Sequence, residues 1–235
     1  MEALILRFDA PLMSFGGVAV DNNGVTARFP GRSMLTGLVA NALGYRHGDA
    51  NELQALQSRI SFAARCDRPG ARIVDYHTAD LSQEFLRSGW TTRGSIEKRE
   101  GGSASEGTAI RYRHYHANAL YTLALGLSPQ DAKPTVSDVE AALRAPARPL
   151  FLGRKACLPA APILIGRHTG VTLRAILRAI PPVEHRSDPP PWPAVWPMDE
   201  DTESSSRLVP AYDDRDWFNQ IHTGRRWMRE GVIDV

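Results

Sequence analysis

Two arginines and a serine precede a predicted helix at a point where an anion could bind. Apolar residues recur at helical spacing through 33–43, and Gly44 can end the helix. Ser33 can accept a hydrogen bond from the first free backbone amides, and Arg28 and Arg32 lie just before them. Because these amides form the positive end of the helix dipole, a phosphate there would meet charge and oriented donors together. A capped amphipathic helix with two solvated arginines is the alternative explanation.

Gly37 lies inside this predicted helix, where a glycine costs about 1 kcal/mol relative to alanine. Such a residue indicates that a protein segment or a ligand comes close to the helix backbone. The sequence leaves both partners open.

The formal net charge of +2 hides an uneven distribution of charged residues along the chain. Residues 1–180 hold 22 basic and 15 acidic side chains, whereas residues 181–216 hold 3 basic and 9 acidic ones. The last nineteen residues return a small positive charge. A polyanion on one side of the protein and a basic or protein neighbour on the other would match this segregation.

Cysteine usage and hydropathy restrict the class of protein. Cys66 and Cys157 are isolated, without the spacing of a zinc site or a disulfide framework. The sequence therefore predicts no metal or other cofactor and fits a reducing cytoplasm. No apolar run approaches the ~20 residues that span a bilayer, so neither secretion nor membrane insertion is expected.

The order of predicted elements indicates an α+β fold. The predicted strands occupy residues 4–8, 60–66, 72–77, 120–127 and 162–165, all in one sheet. The predicted helices occupy residues 33–43, residues 51–59 and the segment that follows a capping box of Thr135 and Asp138. The order β, α, β, insertion, β, α, β is that of ferredoxin-like βαββαβ domains, which RNA-recognition domains share.

Two additions to this domain are predicted. Residues from about 80 to 115 form a glycine- and serine-rich, basic insertion that should project as a β-hairpin or loop thumb. Residues 181–235 should form a small β-rich C-terminal addition that packs on the main domain of residues 1–180. An ordinary flexible insertion is the alternative to the thumb. The thumb residues that could clamp an RNA backbone, stack a base or meet a partner are Trp90, Arg93, Lys98, Arg99, Arg111 and Arg113.

Several short motifs occur in the order typical of one protein family. They are Phe8 to Gly16, Arg28 to Ser33, Gly37 to Gly44, Phe62 to Asp67, Asp75 to Thr78, Tyr121 to Leu125, Phe151 to Cys157 and Asp216 to Phe218. With these motifs the chain resembles the CasD-type subunits of type I-E CRISPR Cascade complexes, which belong to the RAMP superfamily. The resemblance is closest over residues 1–165, and it implies a ferredoxin-like domain, a projecting thumb and a small C-terminal addition.

The resemblance implies a subunit that binds CRISPR RNA without cutting it, in support of antiviral defence. Such a subunit holds the 5′ repeat-derived handle of the RNA, contacts the adjacent backbone subunit and the large subunit, and meets target DNA only through the assembled complex. Glycines would admit the RNA backbone, arginines would pair with phosphates, and an exposed Phe15 would stack on an unpaired base. The RNA-binding residues carried over by position are Ser14, Phe15, Gly16, Arg28, Arg32, Ser33, Gly153, Arg154 and Lys155.

Two other functions remain open from the sequence. A sister branch of the family, in type I-C systems, cuts precursor CRISPR RNA, and Tyr45, His47, His77, His114 and His116 are candidates for the acid and base of metal-independent cleavage. Of these, Tyr45, His114 and His116 are the alternative catalytic residues. Histidines near the end of a strand are more often surface or RNA contacts, so we expect no catalysis. No carboxylate or thiol shares their spacing, so a metal site is not expected. The other alternative is a ferredoxin-like module that binds a small molecule or a protein, which the charge segregation disfavours.

Overall fold

The computed structural model describes residues 1–17, 21–81, 88–90, 96–98, 107–183, 192–200 and 206–234, with the backbone alone for 88–90 and 96–98. The strands are β1 (Glu2–Asp9), β2 (Leu12–Met13), β3 (Asn23–Gly24), β4 (Ile60–Arg68), β5 (Ala71–Asp80), β6 (Ser88–Trp90), β7 (Ile96–Lys98), β8 (Thr108–Ala117), β9 (Leu120–Leu127), β10 (Leu164–Thr169), β11 (Trp192–Pro197), β12 (Arg207–Ala211), β13 (Arg215–Asp216), β14 (Ile221–His222) and β15 (Arg226–Ile233). The helices are α1 (Arg32–Leu43), α2 (Ala50–Arg59), α3 (Val136–Arg144) and α4 (Leu173–Arg178).

The largest element of the fold is a seven-stranded sheet in which every neighbouring pair of strands is antiparallel. Its strand order is β10-β1-β9-β4-β11-β15-β12. The first four strands in this order come from residues 2–169, and the last three come from residues 192–233. The chain is therefore a mixed α/β protein with one large antiparallel sheet and few helices, and the predicted combination of helices and sheet is confirmed at that level.

The centre of this sheet is buried on both faces. All eight residues of β9 are buried. On β1, Leu4 and Leu6 belong to one core, whereas Ala3 and Ile5 belong to the other, because successive side chains of a strand point to opposite faces. Helices α1, α2 and α3 cover the first face, and α4 covers the second.

The described helices are short. Helix α3 begins with the predicted capping box, in which Thr135 and Asp138 each accept a hydrogen bond from the backbone amide of the other. Helix α1, with 12 residues, is the longest of them. None of the helices in the described part of the chain is long and apolar enough to cross a membrane.

A second sheet is built around a ribbon of β5 and β8. Residues along the whole length of both strands are paired, from Ala71 opposite Ala117 to Asp80 opposite Thr108. The short strands β2 and β3 also pair with β8. The expectation that residues 72–77 extend the main sheet is therefore wrong, because their backbone partners lie on β8.

Strand β11 lies inside the main sheet although it contains two prolines. Only Ala194 and Val195 pair with β4, so Pro193 and Pro197 lie beyond the part of the strand that is paired on both sides. Proline is tolerated where one side of a strand needs no hydrogen-bond donor. Trp196 is 1% exposed and anchors this strand in the core beneath α4.

Candidate functional site

Helix α1 begins one residue earlier than expected and is capped by a distant part of the chain. Gly31 is its N-cap residue, without a side-chain cap. Asp213 Oδ2 accepts a hydrogen bond from the Arg32 amide at 2.7 Å, and the Asp213 carbonyl accepts one from the Ser33 amide at 2.9 Å. The prediction that Ser33 caps free amides is wrong, because a carboxylate from the C-terminal segment already occupies this end of the helix dipole.

The two arginines predicted at this helix end are paired with acids of the C-terminal segment. Arg28 Nη1 lies 2.5 Å from Glu230 Oε1. Arg32 Nη1 lies 3.3 Å from Asp214 Oδ2. The positive charges that the sequence offers to a phosphate are therefore matched by the protein's own carboxylates.

Asp213 is the centre of this arrangement. Arg226 donates to its two carboxylate oxygens from Nε and Nη2, at 2.7 and 2.6 Å, in a bidentate pair. Burial lowers the pKa of Arg32 and raises the pKa of Asp214, as expected where charged groups are removed from water. Glu230 Oε2 also accepts a hydrogen bond from Arg207 Nη2 at 2.9 Å, so four arginines share three carboxylates. A further anion would therefore meet only one unmatched cation here. We call this group the N-terminal cluster, which consists of Arg28, Arg32, Arg207, Asp213, Asp214, Arg226 and Glu230.

A different set of arginines surrounds a cavity of about 520 Å³ along the flank of α1. We call it the arginine cavity. Its walls come from α1, residues 14–17, residues 45–47, residues 148–154 and residues 215–222. Among the described residues that line it, none is acidic, so no carboxylate in the wall offsets its charge. Its basic residues are Arg46, His47, Arg148, Arg154, Arg215 and His222.

This cavity brings together most of the residues predicted to bind RNA. Arg28 and Arg32 belong to the N-terminal cluster instead, and Lys155 lines a neighbouring cavity. The arginine cavity, not the helix end, is thus the place that the predicted residues share. The predicted residues that line it are Ser14, Phe15, Gly16, Ser33, Gly153 and Arg154.

Backbone carbonyls hold two of the arginines in place. Arg148 donates to the carbonyls of Gly44 and Tyr45, both at 2.7 Å, where α1 ends and its last carbonyls lack partners within the helix. Arg154 donates to one carbonyl on β8 and one on β3, at 2.9 and 2.8 Å. Because carbonyls are neutral, these bonds orient the two guanidinium groups without cancelling their charge.

Gly153 allows two segments of the cavity wall to approach each other closely. Its φ is +98°, and a Cβ there would lie 1.6 Å from the Ser14 carbonyl oxygen. Next to it, the Ser14 amide donates to the Leu152 carbonyl at 3.1 Å. The close approach that the sequence assigns to an RNA backbone is made here by the protein's own backbone.

Phe15 is a buried part of the cavity wall and offers no exposed stacking face. It is 4% exposed, and its ring centroid lies 5.0 Å from that of Tyr121 and 5.2 Å from that of His116. The Phe15 amide donates to Thr26 Oγ1 at 2.9 Å. The expectation of an exposed Phe15 is wrong, because this aromatic packing buries the ring.

A second cavity, of about 550 Å³, lies beside β8, and we call it the ribbon cavity. It shares Phe151, Gly153 and Arg154 with the arginine cavity, so the two cavities adjoin. Its described lining again contains no acidic residue. The cations that line it are Arg111, Arg113, Arg154 and Lys155.

The other predicted thumb contacts are not covered by the described side chains. Arg93 and Arg99 lie outside the described residues. For Trp90 and Lys98 the structure gives only the backbone, in the antiparallel pair of β6 and β7. The contacts predicted for these four side chains stay predictions.

The candidate catalytic residues are divided between two surroundings. Tyr45 and His47 line the arginine cavity, whereas His114 and His116 line neither the arginine cavity nor the ribbon cavity. His116 is 3% exposed, its Nε2 lies 2.8 Å from the Ala27 carbonyl, and burial lowers its pKa. Burial raises the pKa of Tyr45. Among the residues with described side chains, no group of histidine, cysteine or acidic residues is arranged to hold a metal ion.

Sequence reasoning missed the wall of the arginine cavity that the C-terminal segment provides. This wall is attached to α2 through Gln57, whose Oε1 accepts hydrogen bonds from the Arg215 amide at 3.1 Å and from Trp217 Nε1 at 3.0 Å. The motif at 216–218 indicated that this segment matters, but it did not indicate that the segment packs against α2 and lines the cavity. The cavity residues missed altogether are Arg46, Arg148, Arg215 and His222. Trp217 was noted only within its motif, and His47 only as a candidate for cleavage.

Two sequence comparisons identify relatives of the chain. A family model described as "CRISPR-associated protein (Cas_Cas5)" matches residues 3–229. "CRISPR system Cascade subunit CasD" of Escherichia coli (strain K12) is 34% identical over 163 residues, which cover 69% of this chain and 70% of that protein. The resemblance noted in the sequence is thereby confirmed.

Solved structures show the same relationship at the level of the fold. A chain from "CRISPR RNA-guided surveillance complex" is 26% identical, with a TM-score of 0.65 over 98% of this chain and 88% of that one. A chain from "Crystal structure of Cas protein" is 22% identical, with a TM-score of 0.65 over 98% of this chain and 94% of that one, and shows likeness of fold. From the family match and the sequence identity together, the chain belongs to the CRISPR-associated Cas5 family.

Proposed function

We propose that this chain is an RNA-binding subunit of a Cascade-type complex, in which it holds the 5′ repeat-derived handle of CRISPR RNA without cutting it. The names of its relatives support the assembly, since one is a Cascade subunit and another belongs to an RNA-guided surveillance complex. The cytoplasm is the location that such a complex implies.

The groove formed by the arginine cavity and the ribbon cavity carries this proposal. Its described lining holds arginines and a lysine but no carboxylate. Guanidinium groups pair with phosphate in bidentate geometry, and single-stranded nucleic acid is bound by such charges together with aromatic rings. Tyr45 and Phe151, both half-buried, supply rings in the same wall, whereas Trp217 is buried with Arg215 over its ring. The proposal leaves Arg28 and Arg32 out of the phosphate contacts, because carboxylates already pair with them.

The ribbon of β5 and β8 supports a protein neighbour. Tyr76 lies opposite Tyr112, and Thr78 lies opposite Ile110, so these side chains share one face. On that face Val74 is 54% exposed and Tyr76 is 56% exposed. An exposed apolar strip of this kind suits contact with the adjacent backbone subunit. We assign contact with the large subunit to other surfaces, and contact with target DNA to the assembled complex.

We also propose that residues 1–180 form a ferredoxin-like domain and that residues 181–235 are an addition to it. Along residues 2–169 the main-sheet strands and the helices follow the order β1, α1 with α2, β4, β9, α3, β10. This order, together with the antiparallel arrangement β10-β1-β9-β4, supports a βαββαβ domain. Strands β11, β12 and β15 would then extend the sheet of that domain.

The absence of catalysis is part of the proposal. Metal-independent cleavage needs an acid and a base within reach of the same phosphate. Tyr45 lies in the arginine cavity, whereas the histidines of β8 lie outside it, and His116 Nε2 bonds to the Ala27 carbonyl. His47 is the candidate histidine that lies in the same cavity as Tyr45. This placement favours RNA holding over RNA cutting.

The test is to recover RNA with the full chain and to measure its binding to RNA of the CRISPR repeat. The proposal expects a defined short RNA on a denaturing gel, binding that weakens as salt rises, and no shortening of the repeat RNA. The double variant His114→Ala/His116→Ala should leave the RNA lengths unchanged. New cleavage fragments would support the nuclease instead, and a chain that binds no repeat RNA would contradict the proposal.

A further inference from the structure

We propose that a pocket between the start of α1 and the C-terminal strands is a docking site for a segment of another protein subunit, which inserts one bulky apolar side chain next to a carboxylate. We call it the apolar pocket. The inference rests on the proposed place of this chain in a complex of several subunits, and it adds a partner other than RNA. It is carried by the floor of the pocket and by the charge of its rim.

The apolar pocket has a volume of about 590 Å³ and lies on the same face of the main sheet as α1. Its floor comes from β4, β11, β12, β15 and the residue pair that precedes Gly31. The side chains of the floor carry no nitrogen or oxygen atom, so they offer no strong hydrogen bond to an occupant. They are Phe29, Pro30, Phe62, Val195, Val209 and Met228.

This floor favours an apolar occupant over a nucleotide base. The edge of a base carries hydrogen-bond donors and acceptors, and on this floor they would lose their bonds to water without replacement. An aliphatic or aromatic side chain instead gains free energy when it leaves water. Protein interfaces commonly place such a side chain in a well-packed pocket of the partner.

The rim of the apolar pocket is charged, and its accessible charge is positive. Glu230 pairs with Arg28 and Arg207, and its own side chain is only 14% exposed. The side chains of Arg28 and Arg207 are 55% and 74% exposed. Asp213 and Arg226 also line the pocket, and both are mostly buried in their own ion pair. An approaching partner therefore meets two exposed arginines before it meets a carboxylate.

The amount of unmatched charge suits a single acidic residue. The N-terminal cluster, to which the rim belongs, holds four arginines and three carboxylates, so one positive charge is left over. A nucleic acid brings a negative charge with every nucleotide and binds where several cations are free. A protein segment can place one carboxylate beside one apolar anchor, which matches an apolar floor with a polar rim.

The apolar pocket borders the arginine cavity but is built from different charges. Of the described arginines, none lines both. A segment seated in the apolar pocket would therefore lie beside the RNA-binding groove and leave its cations free. The residues that line both spaces are Phe15, Gly17, Ser33 and His222.

The first experiment is photocrosslinking within the complete complex purified from cells. Tyr212, which lines the apolar pocket and is 54% exposed, is replaced by p-benzoylphenylalanine in the full chain. Irradiation should join this position to another protein subunit, in a segment that has a bulky apolar residue next to an aspartate or glutamate. A crosslink to RNA, to a segment without that chemistry or only within the same chain would overturn the proposal, as would no crosslink.

The second experiment measures binding of a synthetic peptide of the crosslinked segment to the full chain. The double variant Arg207→Glu/Ala211→Phe reverses an exposed charge of the rim and places a ring in the pocket, which Ala211 lines. It should bind the peptide at least about 30-fold more weakly, the effect of losing one central anchor of an interface. A peptide with its apolar residue changed to alanine should lose a similar factor with the wild type. Unchanged binding in both cases would overturn the proposal.

Ala175→Phe/Arg178→Glu is the matched control. It makes the same two changes on α4, where both residues are exposed and which covers the opposite face of the main sheet. This variant should bind the peptide like the wild type. If the ring at position 211 prevents folding, as thermal unfolding would show, Arg207→Glu alone still tests the charge of the rim and should weaken binding of the peptide about 5-fold or more.

Binding of repeat RNA separates this inference from the proposed function. Both double variants should bind RNA nearly as the wild type does, because neither changes a cation of the groove. A folded pocket variant that binds the peptide normally but loses RNA would overturn the docking site and assign the pocket to RNA. A wild-type chain that binds repeat RNA but crosslinks to no other subunit would overturn the inference alone. A chain that does neither would overturn both.

Discussion

The N-terminal cluster and the arginine cavity both gather arginines next to α1, but among the described residues carboxylates pair with these arginines only in the cluster. There, Asp213 pairs with Arg226 and accepts the first amide of the helix. In the cavity, Arg148 and Arg154 donate to neutral carbonyls of the backbone. The same residue type therefore stabilises the fold in one region and leaves positive charge available to a ligand in the other.

This difference explains part of the charge segregation along the chain. Residues 181–216 are strongly acidic, which from the sequence suggests a basic partner outside the protein. Asp213 and Asp214 instead pair with arginines of the same chain. A helix end flanked by arginines is an anion site only where the rest of the chain leaves it open.

Replacing Asp213 tests whether the N-terminal cluster stabilises the fold. Asp213→Ala removes a bidentate partner of Arg226, whose side chain is 14% exposed, and removes a cap of α1. Loss of one partner from a mostly buried pair leaves the other charge unmatched, so the free energy of unfolding should fall by about 3 kcal/mol. Urea denaturation measures this loss. The affinity of the folded variant for repeat RNA should change little.

Asp216→Ala is the matched control for this variant. It removes an aspartate from the same segment, but one whose hydrogen bonds to residues 218 and 219 are exposed, so its loss of stability should be smaller. If Asp213→Ala kept its stability and bound RNA more tightly, the helix end would be an RNA site that Asp213 blocks. The contrast between the two regions would then be lost.

Removing exposed cations from the groove tests whether its positive charges bind RNA phosphates. Arg46 lines the arginine cavity and Lys155 lines the ribbon cavity, and both are exposed. If each meets one phosphate, Arg46→Ala/Lys155→Ala should lower the slope of log affinity against log salt by about 1.4, which is roughly a 25-fold weaker affinity near ~0.1 M salt. Binding of repeat RNA over a range of salt concentrations measures both.

The double variant Arg28→Ala/Arg32→Ala removes the same number of cations from the N-terminal cluster. Because Glu230 and Asp214 already pair with these arginines, the salt slope should stay nearly unchanged. Equal slopes for the two double variants would show that the groove holds no more phosphates than the cluster. A larger change for the cluster variant would reverse the assignment.

Much of the fold was predictable because it depends on local patterns. The strand at 120–127 matches β9, and the capping box of Thr135 was correct. The segment at 72–77 was assigned to the wrong sheet, because a strand pattern does not specify its partner. The place of β11 between β4 and β15 depends on pairing with distant residues, which no local pattern contains.

The site was predictable in part for the same reason. Ser14, Gly16 and Gly153 lie in local motifs, and the structure brings all three to the arginine cavity. Arg28 and Glu230 lie 202 positions apart, so no local pattern could indicate that this positive charge is paired. The sequence shows which residues are arginines, but it does not show which of their charges are paired with carboxylates of the same chain.

The pH dependence of stability tests whether His116 stabilises the fold. Burial, and to a lesser extent the nearby Arg72, lower the pKa of His116 below its ordinary value of 6.5. Below pH 6.5 the unfolded chain therefore binds a proton more readily than the folded chain. The contribution of this residue to stability is full above pH 6.5 and is lost as the pH falls from 6.5 towards the folded pKa.

The measurement is the free energy of unfolding above and below pH 6.5 for the wild type and for His116→Gln, which keeps a donor for the Ala27 carbonyl but does not titrate. The raised pKa of Asp214 acts in the opposite direction, so only the difference between the two proteins isolates His116. That difference should shrink as the pH falls, by no more than about 1.4 kcal/mol per pH unit. A difference independent of pH, or weaker binding of repeat RNA by a folded His116→Gln, would place His116 with the functional residues instead.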